Sequence, residues 1–290
     1  MSHGSLDRLS LPRLSPRRPS AVLPMLALCG ALACLASPAP AVGEEQTAAQ
    51  WLQAGAEQLT TTSARLDLRL VHERKGATRE VTLETATSRR DPEVVKTWIL
   101  QTGPELHAGT QFLTLTRPDD EEQYRYLPVT GAVSRVQPTE NFSLFGTDFQ
   151  IRDIEVADPA EGTHTILGPG TVTVGGTPRP VTRIESRYDS GKHRRVVRSL
   201  DDEHKLPLLV EYFDKSDSPT KRLTVLTVAA DSAVPVATHS RMENLKRGST
   251  TDLYIDRYAF DLDEDALPEA TFTKEQILKV GVAYSEDGGS

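Results

Sequence analysis

The sequence predicts a mainly β protein: one antiparallel sheet, strongly curved or closed, with a helix before it and a short helix after it. Three observations carry this. The hydrophobic period changes from helical spacing to two-residue alternation after Thr61. Strand-like runs then recur about every 8–12 residues, separated by turn-forming residues. No internal repeat and no long linker divides the chain, so a single domain over residues 42–284 is expected, with 285–290 as a polar tail.

Each element follows from local pattern. Glu44–Thr61 is rich in Ala, Gln, Glu and Leu, and Trp51, Leu52, Ala56 and Leu59 recur at helical spacing, which predicts the first helix. Arg65–Glu73 alternates Leu66, Leu68 and Leu70 with polar neighbours, and Arg79–Thr87 alternates Val81, Leu83 and Thr85. Strands follow at Val94–Thr102, Thr110–Thr116, Gln123–Leu127 and Ala132–Val136. Gly146–Val156 reads as a short helix or lid, with Thr147 or Asp148 as its cap. Gly162–Pro180, rich in Gly, Thr and Pro, reads as a loop or loose hairpin. Strands resume at Val181–Tyr188, His193–Leu200, Pro207–Phe213, Lys221–Ala229, Val236–Lys246 and Thr250–Phe260. Thr271–Val280 closes the chain as a short helix capped by Thr271 or Thr273.

The first 41 residues read as an export signal. Arg8, Arg13, Arg17 and Arg18 precede the apolar run Ala21–Ala36, which is short for a membrane span and broken by Pro24 and Gly30. Ala39-Pro40-Ala41 fits a cleavage site, with the mature, exported chain starting near Val42. A retained anchor and lipidation at Cys34 are the alternatives. Both cysteines, Cys29 and Cys34, lie inside the signal, so cleavage leaves no disulfide and no thiol chemistry. The segment removes four Arg and one Asp, so the formal charge moves from −8 to −11. An acidic chain repels phosphate backbones, which argues against nucleic acid as a partner.

Catalytic signatures are missing. The sequence holds no G-x-S-x-G elbow, P-loop, dinucleotide glycine fingerprint or H-E-x-x-H. His72, His107, His164, His193, His204 and His239 are scattered singly, without helical metal-ligand spacing. Asp261-Leu262-Asp263-Glu264-Asp265 starts like a calcium loop but lacks the Gly and the terminal Glu, having Ala266 and Phe272 there, so it reads as a solvated acidic connection. Arg194, Arg195 and Arg198 on one strand are either a solvated face or a groove for phospholipid headgroups. No metal and no cofactor is expected.

The stretch Tyr124–Glu155 carries a family resemblance. Its Y-x-Y-x-P-x-x-G-x-x-x-R hairpin, from Tyr124 through Pro128 and Gly131 to Arg135, precedes Phe145-Gly146-Thr147-Asp148-Phe149 and Asp153-Ile154. This resembles the outer-membrane lipoprotein-sorting family, the LolA-like periplasmic carriers. Gly109-Thr110-Gln111-Phe112, Leu206-Pro207 with Glu211-Tyr212, Leu267-Pro268 and Phe272-Thr273 are similar to further family patterns in the same order. The resemblance implies an incomplete, half-open antiparallel barrel, of about eleven strands on the spacing above, capped by helices and holding acyl chains in an apolar interior. It also implies a non-catalytic carrier without a cofactor, working between an inner-membrane transporter and an outer-membrane acceptor. Leu68, Leu70, Leu83, Trp98, Leu100, Phe112 and Tyr126 would then line the cavity, with Phe142, Phe145 and Phe149 on or near a lid. A non-enzymatic envelope interaction module, either a peptide or lipoprotein sensor or an exporter's accessory subunit, is the alternative; it predicts a filled core or surface groove. A lipid-cleaving enzyme would need a nucleophile–base pair that the sequence does not display.

Overall fold

A computed structural model describes residues 46–136, 143–150, 153, 159–189, 193–229 and 234–287. They belong to one compact unit spanning Glu45–Ser290. The export signal, Cys29, Cys34 and Phe142 lie outside the described residues.

Helix α1 (Ala48–Leu59) begins one turn later than the composition suggested, because Thr47 and Gln50 form a reciprocal capping box there. Thirteen strands follow: β1 (Ser63–Arg74), β2 (Ala77–Ser88), β3 (Val95–Gly103), β4 (Gln111–Arg117), β5 (Asp120–Leu127), β6 (Ala132–Val136), β7 (Thr163–Val174), β8 (Thr177–Arg187), β9 (Arg195–Asp201), β10 (Pro207–Phe213), β11 (Lys221–Val228), β12 (Ala237–Asn244) and β13 (Ser249–Phe260). Helix α2 (Lys274–Asp287) closes the chain with Thr273, not Thr271, as its cap, and extends past the predicted end at Val280.

All strands join one antiparallel sheet in the order β6-β5-β4-β3-β2-β1-β13-β12-β11-β10-β9-β8-β7. The sheet is the mainly β, open barrel that the resemblance implies, with thirteen strands where about eleven were expected. The strand without a predicted counterpart is β7, which pairs with β8 across Gly162–Pro180, where a loop or loose hairpin was anticipated; β8 continues into the strand expected at Val181–Tyr188. Gly175 and Gly176 both take positive φ, as a tight two-residue hairpin turn requires. Pro169 is tolerated because β7 is the edge strand. Pro178 and Pro180 lie before β8 begins to pair with β9 at Val181.

This topology sends one connection over a face of the sheet. The chain reaches one edge at β6 and re-enters at the other edge with β7. Thirteen strands would span about 58 Å if laid flat, so the link must cross the sheet rather than turn beside it. Residues 143–150 and 153 of that link touch β4, β2, β1, β13 and β11, as the contacts below show. They form a strap over one face.

The two faces bury different cores. The strap face carries Leu68, Leu70, Val81, Leu83, Ile99, Phe112, Val196, Val210, Tyr212, Met242 and Leu253 together with Leu144 and Phe149 of the strap. The opposite face of β2–β5 carries Ala86, Trp98, Leu100, Leu113 and Tyr126 beneath Leu267, Phe272 and Ile277. Gln111 clamps this second core: its Oε1 accepts from Trp98 Nε1 at 3.0 Å and its Nε2 donates to the Ile277 carbonyl at 2.9 Å. Gln111→Leu strands both partners in an apolar setting and is expected to cost about 2 kcal/mol in urea unfolding. A cost below about 0.5 kcal/mol would show that the clamp is dispensable.

Candidate functional site

The strap begins as a small self-bonded loop. Leu144 N–H donates to the Phe149 carbonyl at 2.7 Å, Ser143 Oγ to the Thr147 carbonyl at 2.6 Å, and Thr147 Oγ1 to the Leu144 carbonyl at 2.8 Å. A 3₁₀ turn occupies Leu144–Gly146, shorter than the helix or lid expected over Gly146–Val156, of which residues 151–152 and 154–156 lie outside the described residues. Phe145 sits at φ 50°, a left-handed conformation that costs a bulky residue about 1–2 kcal/mol. The turn is steadied by Arg79 Nη2 on β2, which donates to the Phe145 carbonyl at 2.7 Å. Gly146 is required beside it: a Cβ there would stand 3.0 Å from the Arg79 guanidinium, at φ +73°.

Apolar and polar contacts then alternate along the strap. The Phe145 ring meets Phe112 of β4 edge-on, with centroids 5.6 Å apart. Leu144 and Phe149 are 1% and 2% exposed within the strap-face core. Between them Asp148 is buried, with one carboxylate oxygen accepting from Ser249 Oγ at 2.7 Å and the other from Thr251 Oγ1 at 3.1 Å. The Asp148 N–H donates to Thr251 Oγ1 at 3.0 Å, and His72 Nδ1 lies 3.3 Å from the carboxylate. Further on, Asp153 accepts from the Gln150 N–H at 2.6 Å and pairs with the buried Lys221 of β11. Burial pushes the Tyr212 phenol beside this pair well above its ordinary pKa, and the Asp153 carboxylate adds to the rise.

This polar set ties the strap to β1, β11 and β13. Thr251 Oγ1 and the Asp148 carboxylate crowd the same ring nitrogen of His72. Among the described residues no hydroxyl is placed at its Nε2. A cavity of about 440 Å³ opens at the β1–β2 turn, but charged and polar residues (Glu73, Arg74 and Lys75 among them) line it, which suits no acyl chain.

The anticipated lining residues divide between the faces. Leu68, Leu70, Leu83 and Phe112 share the strap face, since Leu68 pairs with Leu83 and Ile99 with Phe112. Phe145 and Phe149 meet them from the strap. Trp98, Leu100 and Tyr126 lie on the opposite face, under α2, because Trp98 pairs with Ala86 and Gln111 with both Leu100 and Tyr126. Alternation alone could not separate the two sets: β3 is buried at four consecutive positions, Trp98–Gln101. His72, Asp153, Lys221, Ser249 and Thr251 were not anticipated as site residues. They come from distant strands, and no local spacing marks them.

Comparison with known proteins follows the same geometry. The family model that matches the chain covers residues 93–279 and is described as "uncharacterized protein". No curated protein matches. A DUF1329 family protein from Desulfovibrio piger ATCC 29098 superposes with a TM-score of 0.71 at 20% identity, covering 79% of this chain and 97% of that one. A domain described as an outer-membrane lipoprotein-sorting protein, from Vibrio parahaemolyticus, gives 0.70 at 18% identity over 80% of this chain and 98% of its own. A LolA superfamily protein from Nitrosomonas europaea gives 0.59 at 16% identity over 79% and 99%. The chain belongs to the family of uncharacterized proteins whose model spans residues 93–279, and its fold is the LolA-like open barrel.

Proposed function

We propose that this protein is a periplasmic, non-enzymatic carrier that binds acyl chains of lipids or lipoproteins on the strap face and moves them toward the outer membrane. The observation that carries the reading is the strap itself. Leu144 and Phe149, with Phe145 beside them, enter the apolar core of an open sheet from a segment whose remaining contacts are polar. They stand where a ligand chain would lie. Withdrawing them costs about 2–3 kcal/mol each, and about seven buried methylenes at ~0.8 kcal/mol offset that cost. A C16 chain exceeds the threshold comfortably, so the exchange is downhill without any covalent step. An inner-membrane transporter as donor and an outer-membrane acceptor are the partners this role needs.

The second reading, an envelope interaction module, is favoured by the same strap if it never leaves, since the interior is then filled by the chain's own side chains. Mass spectrometry of organic extracts from protein purified out of its native periplasm without detergent separates the two. A stoichiometric acylated species is the expected result. A clean protein that also fails to take up added long-chain lipid would favour the module.

A further inference from the structure

Arg198 occupies an unusual place for a cation. It lies on the strap face of β9 between Val196 and Leu200, and its cross-strand neighbours are Ile184 and Val210. Both neighbours are buried, at 0% and 4% exposure. A guanidinium among apolar side chains ordinarily pairs with a carboxylate, because an uncompensated charge there is costly. Its partners are instead two hydroxyls: Nη1 donates to Ser186 Oγ at 3.0 Å and Nη2 to the Tyr188 hydroxyl at 3.1 Å.

Those hydroxyl partners are neutral. His164 Nε2 lies 3.1 Å from the Pro159 carbonyl, which can only accept, so Nε2 bears the proton. Nδ1 then accepts from Ser186 Oγ at 2.9 Å, which turns the serine proton away from Arg198. Of the strap's described carboxylates, Asp153 is engaged by Lys221 and the Gln150 amide, and Asp148 by Ser249 and Thr251. The neighbouring Arg195 is satisfied differently, stacked 3.8 Å over the Phe213 ring and 3.7 Å from Glu185. Among the described residues no carboxylate lies within ion-pair distance of Arg198. Among the described residues two of its five N–H groups find acceptors, which leaves donors to receive an incoming oxyanion.

We propose that Arg198 is the headgroup anchor of the site, receiving the carboxylate or phosphate of an anionic amphiphile whose acyl chain lies along Val196, Val210 and the strap-face core. This deepens the carrier reading and rests on it. The ligand would be an acidic lipid or fatty acid rather than a neutral one, seated head toward β9 and tail toward β1 and β2.

The test titrates the delipidated full chain with dansylated undecanoic acid, with its methyl ester, and with inorganic phosphate. Arg198→Gln is expected to weaken the acid about tenfold or more while leaving the ester within about twofold. Arg198→Lys, which keeps the charge, should retain most of the acid's affinity and guards against a simple folding defect. Equal affinities for acid and ester, unchanged in Arg198→Gln, would overturn the anchor and leave the carrier intact. Equal loss of both probes in both variants would make Arg198 structural and overturn it as well. Phosphate binding that Arg198→Gln abolishes, without uptake of the acid, would assign the guanidinium to a free ion. A wild-type chain that takes neither acid nor ester defeats the carrier reading, and the anchor with it.

Discussion

Replacing Asp148 with Ala is expected to lower stability by about 3 kcal/mol and to release the strap. The carboxylate is 2% exposed and accepts from two hydroxyls that have been taken out of water with it. Removing it leaves Ser249 and Thr251 with buried, unanswered donors, and leaves His72 facing a void. The loss should appear as a lower urea midpoint at unchanged slope, with faster amide exchange at Leu144 and Asp148. Asp256→Ala is the matched control: its partner Arg69 is also held by a carboxylate, but the pair is at the surface, and the change should cost under about 1 kcal/mol. If Asp148→Ala costs no more than that control and exchange is unaltered, Leu144 and Phe149 hold the strap alone. Under the carrier reading, the same variant should take up acyl probes faster, because the polar latch is what a ligand must undo.

The second large effect is expected at Gly281, in the middle of α2. A Cβ built there would lie 2.2 Å from Tyr126 Cε1 and 2.3 Å from Cζ. Tyr126 is 1% exposed and packed within the second core. Gly281→Ala would ordinarily favour a helix by about 1 kcal/mol, but overpacking here should outweigh that gain and cost about 3 kcal/mol net. The helix would lift from β4–β6. Combining the change with Tyr126→Leu should recover part of the loss, a non-additivity that chemical denaturation of the four-member cycle would measure. Simple additivity would mean that the helix shifts to avoid the ring, and would remove Gly281 as a docking determinant.

These two sites mark where sequence reasoning reached and where it stopped. The N-terminal helix, the strand alternation of Leu66, Leu68 and Leu70, and the hairpin at Tyr124–Arg135 were legible because each depends on neighbours a few residues away, although the cap that starts the helix at Thr47 was not singled out. Gly162–Pro180 was left open between a loop and a loose hairpin since its Gly and Pro content outweighed the Thr-Val alternation flanking Gly175-Gly176; it is an ordered hairpin, in which Pro169 is acceptable on the edge strand and Pro178 and Pro180 precede the pairing of β8 with β9. Phe145 and Phe149 drew attention as a lid through family resemblance, and Arg198 was read with Arg194 and Arg195 as a solvated face or a headgroup groove, whereas the partners of the Asp148 latch, on distant strands, left no trace in spacing.

The sequence by itself determined that this is a mainly β protein with a helix at each end, because two-residue alternation and helix caps are local physics. Only the tertiary structure decided which alternate residues face the strap and which face α2. Alternation says that neighbouring side chains point to opposite sides of a strand, but not what covers either side. In β3, where both sides are covered, Ile99 joined the strap-face core while Trp98 and Leu100 went beneath the C-terminal helix.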